Sequence, residues 1–123
     1  MPPLVDTNIL IELLRKAPGA LAWFRSLDER PMMSAVSVLE LYAGARIQRE
    51  ERDILTLRHH VNCLPICQEI AELAGSMMRR FHKSHNIDIP DAIIAATAEH
   101  HGLRLATLNI KHFPMFPKLK RPY

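Results

Sequence analysis

The sequence predicts an α/β protein, a three-layer α/β/α sandwich with a central, mainly parallel sheet. Short apolar runs alternate with longer stretches of helical periodicity, the pattern of a parallel sheet covered on both faces. The stretch 91–101 is apolar on nearly every side, which is typical of a buried helix. The 123 residues fit a single domain, and 48% of them are hydrophobic, enough for a real core.

Composition excludes several classes of protein. A net charge of +3 and a pI of about 9.1 permit an anionic partner without indicating one. Cys63 and Cys67 have no second pair to complete a zinc site, so we expect two buried or half-buried thiols in a reducing compartment. No apolar run reaches the length of a membrane span, and Met1-Pro2-Pro3 does not resemble a signal peptide. We expect a soluble cytoplasmic protein with no membrane contact.

The chain begins with a strand followed by a helix. Residues 4–5 form an apolar run that ends a buried strand, and Asp6 follows directly. Thr7 and Asn8 have side chains suited to capping, so we predict a helix over 9–16. This places Asp6 between the carboxyl end of a strand and the start of a helix.

The other elements continue the alternation. Pro90 suits the first position of the buried helix. Ser34 or Ser37 suits the cap of the helix over 34–46, and Ser37-Val38-Leu39-Glu40 matches a capping box. In chain order we predict a helix over 19–27, a strand at 32–33, a helix over 34–46, a charged surface stretch over 48–53 leading into a helix through Leu55 and His59, a buried strand at 61–66, a long amphipathic helix over 67–85, the buried helix over 91–101, a strand at 103–107 and an edge strand near Leu119.

Three acids stand out by their positions. Asp6 follows the first strand, Glu40 lies on a helix and Asp91 opens the buried helix. The carboxyl ends of parallel strands share one sheet edge with the following helix starts, so these acids can meet there. Crowded carboxylates repel each other and raise their pKa values, and a divalent cation removes that penalty. An all-oxygen set suits Mg²⁺ or Mn²⁺, and such an ion supports phosphodiester hydrolysis.

Each acid also has a purely structural explanation. Asp6 would serve as a helix cap or turn residue, and Glu40 would complete a capping box. Asp91 would complement the dipole of the helix that it opens. Taken residue by residue, the structural and the functional explanations both stay open.

Four segments carry motifs in a fixed order: Val5-Asp6-Thr7-Asn8-Ile9-Leu10-Ile11, then Ser37-Val38-Leu39-Glu40-Leu41-Tyr42-Ala43-Gly44, then Asp91-Ala92-Ile93-Ile94-Ala95-Ala96-Thr97-Ala98, then Leu105-Ala106-Thr107-Leu108-Asn109 with His112-Phe113. Together they resemble the PIN-domain ribonucleases, and within them the VapC toxins of VapBC toxin–antitoxin pairs. The resemblance spans nearly the whole chain and implies a single PIN-like nuclease domain over 1–123.

The resemblance also implies an activity and a site. It implies an endoribonuclease dependent on Mg²⁺, or Mn²⁺, whose metal-binding acids match Asp6, Glu40 and Asp91. Asp6 and Asp91 would be the main ligands, and Glu40 would bind metal or orient the attacking water. Asn8 and Thr107 match positions that support the acids or metal-bound waters. The implied partners are an RNA substrate, a second copy in a homodimer and a VapB-type antitoxin docked over the acidic cleft.

Departures from the family pattern keep an alternative open. Asn109 stands where many members have a fourth acid. It would be a third supporting residue, whose carbonyl can hold a water or a metal but brings no charge, so a second metal would bind more weakly. His112 replaces a common aspartate and would be a structural or phosphate-facing residue. Asp88 and Glu12 could add charge without matching a motif. The alternative is a catalytically weak or inactive PIN-like module that binds RNA or a partner protein. A phospho-acceptor signalling domain is disfavoured, because Asp6 has no acidic neighbour.

Overall fold

A four-stranded parallel sheet forms the centre of the molecule. The structure is a computed structural model that describes all 123 residues except the side chain of His82. The strands lie in the order β3-β2-β1-β4, and every pairing is parallel, which confirms the predicted fold class. Their bounds are β1 (Leu4–Val5), β2 (Met32–Ser34), β3 (Asn62–Leu64) and β4 (Leu105–Ala106).

Helices connect the strands and cover both faces of the sheet. None of the helices in the described structure is long and apolar enough to cross a membrane. Their bounds are α1 (Thr7–Leu14), α2 (Pro18–Arg25), α3 (Ala35–Gly44), α4 (Gln48–Arg58), α5 (Gln68–His85) and α6 (Ile89–His101), with a 3₁₀ turn at Ile110–His112.

The two faces of the sheet bury separate apolar clusters. Leu4 and Leu105 belong to the cluster that α5 and α6 cover, whereas Val5 and Ala106 belong to the cluster that α1, α2 and α4 cover. Successive residues of a strand point to opposite faces, so each two-residue strand supplies one side chain to each cluster. Both faces are therefore covered by helices, which produces the three layers.

Two helices begin earlier than predicted, because the acid before each one is its cap. Helix α1 begins at Thr7, and Asp6 accepts a hydrogen bond from the Thr7 backbone N–H. Helix α6 begins at Ile89 with Asp88 as its cap, so Pro90 occupies the second helical position and not the first. The prediction that Thr7 and Asn8 would cap α1 is therefore wrong.

The predicted capping box in α3 is also wrong. Of the two predicted caps, Ser34 is confirmed, and its Oγ accepts a hydrogen bond from the Val36 backbone N–H at 3.1 Å. Ser37 lies inside the helix and is buried. The Glu40 side chain therefore has a different partner, which belongs to the site described below.

Four further expectations needed correction. Residues 48–53, predicted as a surface stretch before a helix, form the first half of α4. Their charged side chains are mostly exposed, and the helix packs on the core through the buried Ile54. Strand β3 is shorter than predicted and mostly exposed, because it forms an edge of the sheet. Cys63 is exposed with it, against the expectation of a buried or half-buried thiol, whereas Cys67 is half-buried as expected. The described tail has no strand near Leu119, whose N–H instead bonds to the Phe116 carbonyl in a turn.

Candidate active site

The candidate site lies at the carboxyl edge of the sheet, between β1 and β4. From β1 the chain proceeds through β2 to β3 on one side, and β4 is then added on the other side. The strand order thus reverses between β1 and β4, which is where open α/β sheets bind their ligands. Val5 pairs with Ala106, so the residues that follow, Asp6 and Thr107, are neighbours at this edge.

Asp6 is buried and held by two donors. The Thr107 hydroxyl donates to its Oδ2 at 2.6 Å, and the Thr7 backbone N–H donates to its Oδ1 at 2.8 Å. Burial raises the pKa of Asp6 above its ordinary value, although both hydrogen bonds oppose the shift. Asp6 is therefore fixed in orientation and costly to ionise.

Glu40 approaches the same edge from α3. Its Oε1 accepts a hydrogen bond from the Thr7 hydroxyl at 2.8 Å, although 33 residues separate the two in sequence. Burial raises the pKa of Glu40, and the charge of Asp6 adds to this shift. The Thr7 bond acts in the opposite direction. Thr7 therefore contacts two of the three predicted acids.

Asp91 has the most perturbed carboxyl group at the site. Burial raises its pKa to about 8, together with a hydrogen bond and negative charge from Asp88. The charges of Asp6 and Glu40 act in the same direction. His112 Nδ1 lies 3.3 Å from Asp91 Oδ2. The structure thus brings all three predicted acids within electrostatic reach of one another.

Asp88 contributes more to the site than its sequence context indicated. Its Oδ1 accepts the backbone N–H of Asp91 at 2.9 Å, and its charge raises the pKa of all three acids. An aspartate two residues before Pro90 is a recognisable helix cap. That local signal could have identified Asp88 as a member of the cluster.

The supporting residues differ in how they take part. The Thr107 hydroxyl bonds Asp6 directly and accepts the backbone N–H of Asn109 at 3.0 Å. Asn109 thus contacts this network through its backbone, and the residue is exposed. Glu12 lies apart from the cluster and accepts the Tyr123 hydroxyl at 2.8 Å.

The residues fit a divalent cation in chemistry, although they do not already enclose one. Among the described side chains, no three His, Cys, Asp or Glu residues are arranged to share an ion. Asp6 nevertheless raises the pKa of Glu40, and both raise the pKa of Asp91, a repulsion that a cation would relieve. Both polar atoms of the Asn8 side chain are buried without a hydrogen-bond partner among the described residues. A buried amide without partners is costly, and a metal-bound water would satisfy it.

An open groove leads to the cluster along α1, α3 and α4. It has a volume of about 620 Å³ and reaches Glu40. Its cations are Arg15, Lys16 and Arg49, and they are matched in number by Glu40, Glu50 and Asp53. The charges of the groove are therefore balanced, and the groove alone does not indicate an anionic ligand.

The chain belongs to the PIN domain family, whose family model matches residues 4–118. The resemblance noted from the motifs is thus confirmed. Ribonuclease VapC10 of Mycobacterium tuberculosis is 44% identical to this chain, over 98% of the chain and 92% of that protein. Ribonuclease VapC19 of the same organism is 36% identical, over 98% of both. A toxin–antitoxin complex from Klebsiella pneumoniae has a chain with a TM-score of 0.83 and 31% identity, covering 98% of each.

Proposed function

We propose that this chain is a metal-dependent endoribonuclease and the toxin of a type II toxin–antitoxin pair. The observation that supports the chemistry is that burial and the charge of Asp88 raise the pKa values of Asp6, Glu40 and Asp91 together, at the sheet edge where the strand order reverses. The relatives named ribonucleases support RNA as the substrate. We propose that the nuclease comprises one PIN-like unit over residues 1–123.

Asp6, Glu40 and Asp91 would hold Mg²⁺, or Mn²⁺ in its place. Their ligand atoms are all carboxylate oxygens, the type that these hard cations prefer. The ion would supply positive charge at the scissile phosphate and a water of lowered pKa.

The protein side chains prepare the site before substrate arrives. Thr107 and the Thr7 backbone fix the Asp6 carboxylate, so its orientation need not change during the reaction. Glu40 has one oxygen bonded to Thr7, and we assign its other oxygen to orienting the attacking water and receiving its proton. The buried Asn8 amide would hold a water of the ion.

Asn109 favours one bound ion over two. An asparagine brings no charge to the position where many family members have a fourth acid. Here the Asn109 backbone N–H, at 3.0 Å, bonds the Thr107 hydroxyl and so supports Asp6. We therefore assign Asn109 a supporting role and no ligand role for a second metal.

The proposed partners follow from the relatives. The Klebsiella chain was solved in a toxin–antitoxin complex, so we propose a VapB-type antitoxin that docks over the acidic cleft. We also propose a homodimer, and a cytoplasmic location in which RNA is accessible. The antitoxin would block the approach of RNA to Glu40, Asp6 and Asp91.

Cleavage assays with isosteric variants test this function. Purified protein with Mg²⁺ or Mn²⁺ should cleave RNA, and Asp6→Asn or Asp91→Asn should abolish cleavage. Asparagine is also a good cap, so Asp6→Asn should retain α1. Asp28→Asn is the control, since Asp28 is exposed and is not among the groups that shift the pKa of Asp6, Glu40 or Asp91.

Two results would overturn the proposal. Full activity in Asp6→Asn or Asp91→Asn would remove the site assignment. Tight RNA binding without cleavage at any metal concentration would instead establish the alternative, an inactive PIN-like binding module.

A further inference from the structure

We propose that Thr7 is a positioning residue that sets the place of Glu40 relative to Asp6, through a chain of two buried hydroxyls. The inference rests on the proposed function, because it assigns a role within the same site. It concerns residues that hold the acids and not the acids themselves.

Thr7 bonds two acids at once, with different groups. Its backbone N–H donates to Asp6 Oδ1 at 2.8 Å, and its hydroxyl donates to Glu40 Oε1 at 2.8 Å. Asp6 belongs to the end of β1, whereas Glu40 belongs to α3. A single residue at the start of α1 therefore links the carboxylates of two separate elements.

The hydroxyl of Ser37 extends this network, and its direction of donation can be assigned. Ser37 Oγ lies 2.7 Å from Thr7 Oγ1. A hydroxyl has one proton to donate, and that of Thr7 goes to Glu40, which as a carboxylate is the stronger acceptor. The Ser37 hydroxyl must then donate to Thr7. The bonds run from Ser37 to Thr7 to Glu40, and each one polarises the next.

Burial makes this arrangement rigid. Thr7 is 6% exposed and Ser37 is fully buried, so water cannot easily replace either hydroxyl. Glu40 is only half-buried, and its long side chain has several rotamers available. The Thr7 hydroxyl selects one of them and directs the remaining carboxylate oxygen.

The hydrogen bonds of Thr7 also explain the spacing of Ser37 and Glu40, which the cap of α3 does not explain. Ser37 and Glu40 have the spacing of a capping box, but Ser34 is the cap of α3. Residues three apart lie on the same face of a helix. The pair therefore presents a hydroxyl and a carboxylate to the same neighbour, Thr7.

Paired substitutions at Thr7 separate positioning from packing. Thr7→Val keeps the shape and removes the hydroxyl, and Thr7→Ser restores it. Mn²⁺ binding is measured by electron paramagnetic resonance, and kcat for RNA cleavage is measured at saturating Mn²⁺. We expect Thr7→Val to weaken Mn²⁺ binding or lower kcat by about tenfold to a hundredfold, the usual loss for partners that orient ligands. Thr7→Ser should recover most of that loss.

Two further variants provide a control and a second test of this interpretation. Thr97→Val is the matched control, because Thr97 is also buried but its hydroxyl donates to the Ile93 carbonyl of its own helix at 2.7 Å. It should bind Mn²⁺ and cleave RNA like the unaltered protein. Ser37→Ala removes only the far hydroxyl and should show a smaller loss in the same direction as Thr7→Val. Thermal unfolding of each variant verifies that it is folded.

The inference fails if Thr7→Val matches Thr97→Val in both measurements, or if Thr7→Ser is as defective as Thr7→Val. Asp6→Asn separates this failure from failure of the proposed function. Should Asp6→Asn lose cleavage while Thr7→Val retains it, only the role of Thr7 is wrong. Should Asp6→Asn retain cleavage, the site itself is wrong.

Discussion

The carboxyl edge of the sheet and the face covered by α5 and α6 contrast sharply, although α6 takes part in both. At the edge, Asp91 has a pKa raised to about 8 by burial and by neighbouring negative charge. One turn later, Ile94 and its apolar neighbours are buried in the core. The start of the helix opposes folding when its acid is charged, and the remainder of the helix stabilises the fold.

The contrast teaches how the protein tolerates a repulsive cluster. A parallel sheet with apolar helices on both faces supplies stability away from the site. The edge is then free to hold side chains that would be unfavourable in an ordinary interior. Local violations of this kind are typical of functional sites.

The largest change in stability should come from a substitution in the apolar core. Ile94→Ala removes a side chain that is 1% exposed and should lower the free energy of unfolding by about 2–5 kcal/mol. Urea denaturation in the presence of EDTA measures this loss. Ile89→Ala is the matched control on the same helix, because Ile89 is 65% exposed and its loss should stay within about 0.5 kcal/mol. Equal losses in the two variants would show that α6 is not the buried helix described here.

Removing the charge of Asp91 at the carboxyl edge should raise the free energy of unfolding instead of lowering it. The ordinary pKa of an aspartate is 3.8, and that of Asp91 in the folded state is about 8. Folding therefore favours the protonated form, and the stability contributed by this group is lost as pH rises from 3.8 towards 8. In EDTA, Asp91→Asn should become progressively more stable than the unaltered protein over that range.

With a divalent cation bound, the unaltered protein should become more stable than Asp91→Asn. Mg²⁺ at about one hundred times its Kd stabilises a protein that binds it by about 2.7 kcal/mol. The unaltered protein should gain that stability near pH 8, and Asp91→Asn should gain little of it. Thermal unfolding with Mg²⁺ and with EDTA measures both effects. A pH-independent difference between the two proteins would contradict the repulsion among Asp91, Asp88, Asp6 and Glu40.

The smallest effect should come from an acid outside the cluster. Glu12 lies on α1, as Thr7 does, but it accepts the Tyr123 hydroxyl at 2.8 Å. Tyr123→Phe removes that bond and should lower the free energy of unfolding by about 0.5–1.5 kcal/mol. RNA cleavage should be unchanged. A large loss of cleavage would show that the C-terminal contact positions the edge, and the contrast between Glu12 and the acids of the cluster would disappear.

Sequence patterns were sufficient for the fold class, because they depend on local periodicity. The alternation of short apolar runs and amphipathic stretches predicts a parallel sheet covered on both faces, and the structure has that arrangement. Strand β3 was harder to predict, since its exposure depends on its place at the edge of the sheet. That place is set by contacts between residues distant in sequence.

The family motifs were sufficient to select the three acids and one residue that holds them, Thr107, but not the bonds themselves or the role of Thr7. Asp6, Glu40 and Asp91 each follow a recognisable boundary or motif. The bond between the Thr7 hydroxyl and Glu40 spans 33 residues, and that between Thr107 and Asp6 spans 101. Such bonds depend on how the elements pack, and the capping-box pattern in α3 pointed to the wrong partner.

Anomalous diffraction from crystals grown with Mn²⁺ tests the central claim most directly. The account predicts one strong peak at the carboxyl edge of the sheet, in contact with the carboxylates of Asp6 and Asp91 and next to Glu40. A peak at another part of the molecule, or none at a Mn²⁺ concentration that supports cleavage, would contradict it.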